Sequence, residues 1–329
     1  MGSDLGPHVL IRASFQSLLK DADLHLILVG KQADIQHIST EFPQIPSTKY
    51  RIVHTDEFIT MDERPTSALK KKLNSSMSIA LSLVAAGEVE GCVSAGNTGA
   101  LMVLSKYWLK MYPGIDRPAI STVLPGEKGF TRVLDLGANV DCDSETLFNF
   151  AVMGSVMSQA IDGIDKPKVG LLNIGVEDIK GNDKVKQAAR LLDNSDLINY
   201  CGFVEGDQIY RGNIDVIVCD GFVGNAVLKA SEGITHYFGL LIKEKLLSGF
   251  RGLLLHWLLK PSLKKLRDEI NPDRYNGACL SGLNKVVIKS HGGADIVAMQ
   301  FAIKEATQQV RLDVPNRVWK ALDKLESMT

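Results

Sequence analysis

Short polar turns rich in glycine and asparagine follow five apolar runs of this sequence, and they hold the residues best suited to binding an anion. The turns are residues 94–99, 135–139, 173–177, 220–225 and 290–293. Glycine lets backbone N–H groups approach a ligand closely, and the N-terminus of a following helix adds partial positive charge. The pattern therefore predicts a phosphate-like ligand. An equally weighted alternative for residues 94–99 is a tight turn in which Thr98 caps a helix.

Other patterns that would indicate a specific chemistry are absent from the sequence. It has neither GxxxxGK[ST] nor a GxGxxG after its first apolar run, so no NTP or NAD cofactor is expected. The seven histidines are dispersed without HExxH, and Asp141 and Asp143 are interpreted as a helix start, so no metal is expected. Acidic neighbours should raise the pKa of the Cys142 thiol, and GxSxG is missing, so covalent catalysis is the minority interpretation.

The pattern of apolar residues predicts the strands and helices that must position these turns. Continuous apolar runs indicate strands covered on both faces, and their alternation with helical patterns predicts an α/β fold with a doubly wound, mostly parallel sheet. In such a sheet the carboxyl ends of the strands share one edge, so we expect the five turns to converge. The predicted strands begin near residues 24, 91, 119, 132, 168, 215 and 285, and the predicted helices are 65–86, 98–110, 145–160, 183–192 and 225–247.

Composition narrows the classes of protein to consider. The chain has 329 residues, of which 45% are hydrophobic and 23% charged, enough for a large core in one compact domain. A formal charge of −1 gives no overall attraction to nucleic acid, so no nucleic-acid partner is expected. The five scattered cysteines are expected to be mostly reduced core residues, and no secretion signal or membrane span is apparent. A cytoplasmic setting is the default expectation.

One helical region, residues 246–270, carries a wide apolar stripe surrounded by basic residues. Phe250, Leu254, Trp257 and Leu258 belong to this stripe. Burial in the core or in a dimer interface is one interpretation. Since Trp and Phe beside lysines also suit a lipid interface, membrane contact by the tip of a helical hairpin is the other.

Taken together, the turns resemble the phosphate acyltransferases called PlsX over nearly the whole chain. The resemblance is carried by the segments SAGNTGALM, LDLGANVDC, NIGVEDIKGN, CDGFVGNAVLKASEG and YNGACLSGLNKVVIKSHGGAD. It implies a fold similar to phosphotransacetylases and isopropylmalate dehydrogenases, as one domain over 1–329 with a protruding helical hairpin at about 240–275. It also implies that acyl carrier protein thioester and inorganic phosphate become acyl phosphate and free carrier protein, in bacterial phospholipid synthesis.

The resemblance further implies a homodimer at the inner face of the cell membrane. There it would contact membrane lipid and the glycerol-phosphate acyltransferase that acts downstream. The family pattern has a first strand ending in DAMGGD, whereas this sequence opens at Met1-Gly2-Ser3-Asp4. We therefore expect that strand to be absent before Met1. Loss of a central strand would leave backbone groups of its neighbours unpaired.

Roles for individual residues follow from what phosphate attack on a thioester requires, which is a bound dianion and stabilisation of the oxyanion that forms. Asn225 is predicted as a catalytic donor, Lys180 and Lys229 as the charges that hold phosphate or oxyanion. His291 either transfers a proton or serves as a structural donor. The predicted phosphate-binding residues are Ser94, Gly96, Asn97, Thr98, Gly99 and Asn139.

Two other functions stay open on the sequence alone. A phosphotransacetylase would use the same sheet edge to move acyl groups between coenzyme A and phosphate. A non-catalytic homologue would only bind anions or membranes.

Overall fold

A computed structural model describes residues 2–246, 259–261 and 275–326 of the chain. The predicted membrane or dimer residues Phe250, Leu254, Trp257 and Leu258 lie outside the described residues, as does most of the predicted hairpin. Each of the seven predicted strands is a strand. The strands are β1 (Leu26–Gly30), β2 (Tyr50–His54), β3 (Gly91–Ser94), β4 (Ala119–Gly126), β5 (Gly129–Leu134), β6 (Lys168–Leu172), β7 (Asn199–Val204), β8 (Val216–Val218), β9 (Ala278–Ser281) and β10 (Val286–Lys289).

The predicted helices are present with adjusted bounds, and the region 65–86 forms two helices rather than one. A π-helical turn, Ser158–Asp162, continues α6. The helices are α1 (Pro7–Lys20), α2 (Gln32–Ser39), α3 (Pro65–Lys71), α4 (Ser76–Ala85), α5 (Thr98–Leu109), α6 (Ser144–Met157), α7 (Asp183–Asp193), α8 (Gly221–Leu241), α9 (Ile296–Arg311) and α10 (Val314–Glu326).

The strands form an eight-stranded sheet and a separate two-stranded sheet. The larger sheet has the order β3-β10-β9-β4-β5-β8-β6-β7, and the smaller one pairs β1 with β2. Within the larger sheet, β3 is parallel to β10, and β5, β8, β6 and β7 are parallel to one another. The pairs β10–β9, β9–β4 and β4–β5 between them are antiparallel. The result is the mostly parallel α/β architecture that the sequence predicts, with antiparallel strands at its centre.

Each face of the larger sheet is covered by its own hydrophobic core, as a doubly wound fold requires. One core contains Phe150 and Met153 of α6 with residues of α7, α9 and α10. The other contains Leu81 of α4 and Leu101 of α5. Neighbouring residues of β8 divide between them, since Val216 joins the first core and Ile217 the second. This alternation explains why the strands appear as continuous apolar runs.

A buried ion pair fixes the π-helical turn against β5. Arg132 donates to both carboxylate oxygens of Asp162, at 3.1 and 2.7 Å, and both side chains are almost fully buried. Two parallel hydrogen bonds of this kind fix orientation as well as distance. The pair therefore holds the end of α6 in register with the sheet.

Candidate functional site

The five polar turns do not share one sheet edge. Because β3 and β10 run opposite to β5, β6 and β8, the turns that follow β3 and β10 leave the other edge of the larger sheet. We call residues 94–99 and 290–293 the first turn group. The second turn group consists of residues 135–139, 220–225 and 173–180, of which the last extends the predicted turn 173–177 to Lys180. The sequence pattern does not reveal strand direction, and this is why a single edge was expected.

In the first turn group, Asn97 is a structural residue. Its Oδ1 accepts the N–H of Ala100 at 3.0 Å and so caps α5, and its Nδ2 donates to the carbonyls of Thr60, Met61 and Glu63 at 3.2, 2.9 and 2.9 Å. The predicted cap, Thr98, is instead the first helical residue and is half-buried. Since the polar atoms of Asn97 are already used, its predicted donation to phosphate has no support from these hydrogen bonds.

The glycines of this turn are required by close packing. A Cβ at Gly96 would lie 2.7 Å from Met77 Cε, and one at Gly99 would lie 2.6 Å from Pro65 Cγ. Ser94 Oγ accepts the N–H of Gly96 at 3.2 Å and keeps its own hydrogen for another partner. These glycines thus have a packing reason that is independent of a ligand.

His291 lies in the second half of the first turn group and is exposed. Its Nδ1 accepts the N–H of Gly293 at 3.1 Å, so the neutral ring carries its proton on Nε2. The turn is tied to β3 by the Ser290 N–H, which donates to Ser94 O at 2.9 Å. The structural interpretation of His291 is supported at Nδ1, while Nε2 remains available for proton transfer.

A buried lysine that sequence reasoning missed lies beside this turn. Lys289 ends β10, is 8% exposed, and donates to Ser290 O. Burial lowers the pKa of Lys289 to about 8, and the nearby Asp4 carboxylate opposes that change. An isolated lysine at the end of an apolar strand, KVVIKS, was the available signal.

The second turn group is organised around the buried carboxylate of Asp135. Its Oδ1 accepts the N–H groups of Ile120, Gly137 and Ala138 at 2.9, 3.2 and 3.0 Å. Its Oδ2 accepts the backbone N–H of Asn139 at 2.7 Å and its side-chain Nδ2 at 2.9 Å. Burial raises the pKa of Asp135 above its ordinary value, and the hydrogen bonds from Ala138, Ile120 and Asn139 offset part of that rise. Five donors on one carboxyl group match the ionised form.

Asn139 supports this carboxylate and does not face outward. Its Nδ2 donates to Pro118 O at 3.0 Å as well as to Asp135, so both amide hydrogens are used inside the protein. The backbone carbonyl of Asn139 accepts the N–H of Gly221 at 2.7 Å, and this bond joins the turn after β5 to the start of α8. The predicted role of Asn139 as a phosphate donor therefore also lacks a free hydrogen.

The side chains of Asn225, Lys180 and Lys229 are exposed. Those of Asn97 and Asn139 are buried. Asn225 lies beside Gly137, where an added Cβ would be 3.6 Å from Asn225 Oδ1. Lys180 packs its Cγ against Gly175, in a loop held by Asn173 Nδ2 through the carbonyls of Gly175 and Lys180 at 3.1 and 3.2 Å. Within the described part of the chain, the side chains of Asn225 and Lys180 have no ion pair and no hydrogen bond.

Lys229 is one helical turn beyond Asn225 on α8, and its Nζ donates to Glu232 Oε2 at 2.8 Å. Asp220 caps this helix by accepting the Val223 N–H at 2.8 Å. The turns after β5 and β6 are also linked by Lys184, which donates to the Asp141 carboxylate at 2.5 and 2.6 Å. Of the predicted catalytic residues, Asn225, Lys180 and Lys229 thus belong to the region of the second turn group, and His291 to the first.

Exposed apolar side chains lie within and next to the second turn group, and the sequence analysis did not single them out. Ile174, Ile179 and Val140 are 79, 82 and 71% exposed. Their signal was the presence of aliphatic residues inside polar loops, as in NIGVEDIKG. We call Val140, Ile174, Val176, Ile179 and Phe222 the apolar rim.

The cysteines behave as predicted. Four of the five are buried and Cys201 is exposed, and none forms a disulfide. The pKa of Cys142 is raised to about 12, by burial first and by Asp135 and Asp220 next. Asp143 caps α6 through the Thr146 N–H at 2.8 Å, as its interpretation as a helix start requires. In the described part of the chain, no three His, Cys, Asp or Glu side chains come together as metal ligands.

Comparison with known proteins gives two kinds of similarity. A family model described as fatty acid synthesis protein matches residues 1–317. A phosphate acyltransferase of Shewanella sp. strain MR-4 is 48% identical over 329 residues, covering 100% of this chain and 95% of that protein. One of Legionella pneumophila strain Paris is 49% identical over 318 residues, covering 97 and 93%.

The second kind of similarity is structural. EutD phosphotransacetylase from Staphylococcus aureus matches with a TM-score of 0.59 at 18% identity, covering 91% of this chain and 90% of the other. A phosphotransacetylase from Streptococcus pyogenes gives a TM-score of 0.59 at 16% identity, covering 97 and 92%. At this identity the likeness concerns the fold, which agrees with the predicted phosphotransacetylase-like architecture.

Proposed function

Because this chain belongs to the fatty acid synthesis protein family, we propose that it is a phosphate acyltransferase acting in fatty acid and phospholipid synthesis. The single observation that carries the proposal is the full-length similarity to proteins named phosphate acyltransferase. As the site of the reaction we propose the second turn group, and the exposed side chains of Asn225 and Lys180 support this choice.

We assign the thioester and phosphate to the space in front of Asn225 and Lys180. A phosphate oxygen forms a bond to the thioester carbonyl carbon, the carbon–sulfur bond breaks, and the sulfur leaves as a thiolate with the electron pair. The Lys180 ammonium offsets the charge of phosphate and the developing oxyanion, and the Asn225 amide donates to one of them. Asp135 and Asn139 act through the backbone, since they fix the turn against which Asn225 lies.

The acyl donor in this proposal is a thioester of acyl carrier protein. The apolar rim supports an acyl substrate, because its exposed apolar side chains beside Asn225 and Lys180 offer apolar surface that a hydrocarbon chain can cover on leaving water. A coenzyme A thioester as donor is the alternative to exclude.

One assay tests the proposal. Purified protein is given acyl carrier protein thioester with and without inorganic phosphate, and free carrier thiol and acyl phosphate are measured. Phosphate-dependent release in equal amounts is expected. Activity with the coenzyme A thioester but not with the carrier protein thioester would favour the phosphotransacetylase alternative. No thiol release from either donor would favour the non-catalytic homologue that only binds anions or membranes.

We further propose a homodimer that uses the exposed stripe of α8. Ile234, Tyr237 and Phe238 are 52, 56 and 54% exposed and follow helical i, i+3, i+4 spacing with Leu241. An apolar stripe of this size on one helix is typical of an interface. Sedimentation of the Phe238→Glu variant beside the parent chain tests this, and an unchanged dimer would contradict it.

Contact with the inner face of the membrane, beside the downstream glycerol-phosphate acyltransferase, completes the proposal. Among the residues that the structure describes, no helix is both long and apolar enough to cross a bilayer. The proposed contact therefore depends on the predicted stripe around Leu254 and Trp257. Flotation with anionic liposomes should be reduced by Leu254→Glu, and equal flotation of both proteins would refute the contact.

A further inference from the structure

A cavity of about 380 Å³ lies between α9 and the larger sheet, and its lining residues are separate from both turn groups. Val123 of β4 and Phe130 and Arg132 of β5 form its floor. Residues that share one face of α9, at i, i+3, i+4 and i+7, form the opposite wall: Phe301, Lys304, Glu305 and Gln308. We call this space the α9 cavity. Small-molecule sites begin at about 300 Å³, so it has room for a ligand.

The α9 cavity has an exposed mouth and a buried interior. Phe130 and Lys304 are the two exposed residues of its lining. Arg132 and Asp162 line its interior, and their side chains are 3 and 5% exposed. Phe301 contributes a second aromatic ring from the α9 wall. Aromatic rings on two walls, next to buried polar groups, favour a flat ligand that has a polar edge.

Polar groups in the lining have unused hydrogen-bonding capacity. Arg132 uses Nε and Nη2 in its ion pair, and its Nη1 has no hydrogen bond to any residue that the structure describes. Gln308 Nε2 donates to Ile161 O at 3.2 Å, which leaves Gln308 Oε1 as an acceptor. Glu305 Oε1 accepts from Gln309 Nε2 at 2.7 Å, which leaves Glu305 Oε2 as an acceptor. A ligand with both acceptors and donors would satisfy these groups.

The charges of the lining residues balance, so an ionic ligand is disfavoured. Arg132 and Asp162 neutralise each other, and the ammonium of Lys304 is matched by the carboxylate of Glu305. An anion in the cavity would be repelled by the Glu305 carboxylate. A fatty acyl chain would leave Arg132 Nη1 without an acceptor. The matching ligand is therefore neutral, flat and aromatic, with donors and acceptors on its edge.

We propose that the α9 cavity binds a purine nucleoside, with the base between α9 and the sheet and the ribose at the mouth. Purines carry ring-nitrogen acceptors beside amino or carbonyl groups. In nucleic-acid recognition arginine donates to purine N7 and O6, and glutamine pairs with the amino edge of adenine. Recognition through the base needs no glycine-rich phosphate loop, which agrees with the absence of such motifs from the sequence.

Asn276 connects the α9 cavity to the first turn group. It lines the cavity, and its Oδ1 accepts the His291 N–H at 2.9 Å. Its Nδ2 donates to Ser290 Oγ and to Ala298 O, each at 2.8 Å. A ligand packed against Asn276 would restrict the local opening that breaks these bonds. Occupation of the cavity should therefore make the first turn group less mobile.

The test measures binding of adenosine and of guanosine to the full chain by equilibrium dialysis. We expect saturable binding of at least one of the two nucleosides. Amide exchange at His291 should slow by at least about threefold when the nucleoside is bound. Exchange is measured by NMR on the same samples, without any acyl substrate.

Two variants and a control locate the site. Val123→Phe fills the cavity from its floor and should weaken binding at least about tenfold. Gln308→Met keeps the volume but removes an acceptor, and should weaken binding about tenfold even if the first variant does not fold. The matched control is Val297→Phe, the same substitution at a valine that is 47% exposed on α9 outside the cavity. It should bind as the parent chain does.

Three results would overturn the proposal. One is the absence of binding by both nucleosides up to about 1 mM. Another is parental affinity in folded Val123→Phe and Gln308→Met, which would place the nucleoside elsewhere. The third is equal binding of L-phenylalanine or dodecanoate, which would make the cavity a site for any apolar molecule. Unchanged exchange at His291 with nucleoside bound would contradict the connection through Asn276. Since none of these measurements involves turnover, their failure leaves the acyl-transfer assay unaffected.

Discussion

Asn97 and Asn225 each lie at the start of a helix that follows a strand of the same sheet, and each has glycine as a neighbour, yet their surroundings differ. Asn97 is 8% exposed and bonds to four backbone groups, whereas Asn225 is exposed at the start of α8. In the first turn group the amide of Asn97 is fully used by hydrogen bonds within the protein, whereas in the second the side chains of Asn225 and Lys180 are free and lie among the exposed residues of the apolar rim. The comparison teaches that one sequence pattern can hold a loop in place or offer donors to a ligand.

The largest expected effect is on catalysis at the second turn group. Lys180→Ala should lower turnover about 10²- to 10³-fold, because a preorganised charge at the oxyanion is lost. Steady-state release of free carrier thiol measures this. The matched control is Lys168→Ala, which removes an exposed lysine at the opposite end of β6. Near-normal turnover of Lys180→Ala would remove this lysine from the proposed mechanism.

The two asparagines should give crossed results. Asn97→Ala should lower the free energy of unfolding by about 2–4 kcal/mol, because a helix cap is lost and buried carbonyls lose their donor. Asn225→Ala should change it by less than about 0.5 kcal/mol while slowing turnover at least about tenfold. Urea unfolding and the thiol assay on both variants provide the four values. If Asn97→Ala were stable but had low turnover, the reaction site would belong to the first turn group rather than the second.

The buried lysine of the first turn group should make stability depend on pH. The folded pKa of Lys289, about 8, lies below its ordinary value of 10.5, so the folded state penalises the charged form. The free energy of unfolding should therefore rise as the pH increases from about 8 to 10.5, by about 3 kcal/mol, relative to Lys289→Met. Chemical unfolding of both proteins across this pH range measures the difference. If the free energies of unfolding of the two proteins changed with pH in parallel, the charge of Lys289 near pH 7 would not destabilise the folded state.

The smallest effect is expected at the apolar rim. Ile179→Ser should raise the KM for a long-chain acyl substrate about three- to tenfold and leave that for a short-chain substrate unchanged, because less apolar surface is covered. Leu191→Ser on α7 removes an exposed leucine elsewhere and is the control. Equal KM changes for both chain lengths would separate the rim from acyl binding.

Much of the fold could be predicted from the sequence because buried parallel strands leave an unmistakable apolar signature. The runs at 168–172 and 216–218 are examples. Three strands, β2, β7 and β9, were missed, since YRIVH and NYCGFV mix polar and apolar residues and ACLS has only four residues. Strand direction depends on pairings between distant segments, so no local pattern could place residues 94–99 and 135–139 at different edges.

The candidate site was predicted in part. Asn225 and Lys180, which the sequence marked as polar groups near strand ends, are exposed in the structure, and their catalytic roles stay predictions. It could not tell that the amide of Asn139 is used by Asp135 and Pro118, because Pro118 is brought close only by the pairing of β4 with β5. The apolar rim was missed because apolar residues in polar loops are visible in the sequence, but the sequence does not indicate that loops distant along the chain bring them onto one surface.

The antiparallel pair at the centre of the larger sheet has a consequence for folding kinetics. β4 and β5 are joined through Glu127 and Lys128 with Gly126 opposite Gly129, so this hairpin forms from neighbouring residues. The β3–β10 pair must instead bring together segments from far ends of the chain. Short loops close faster than long ones, so we expect the sheet to nucleate at this hairpin and add its outer strands later. In pulse-labelled refolding, Thr122 and Val133 should then gain amide protection before Cys92 and Ile288.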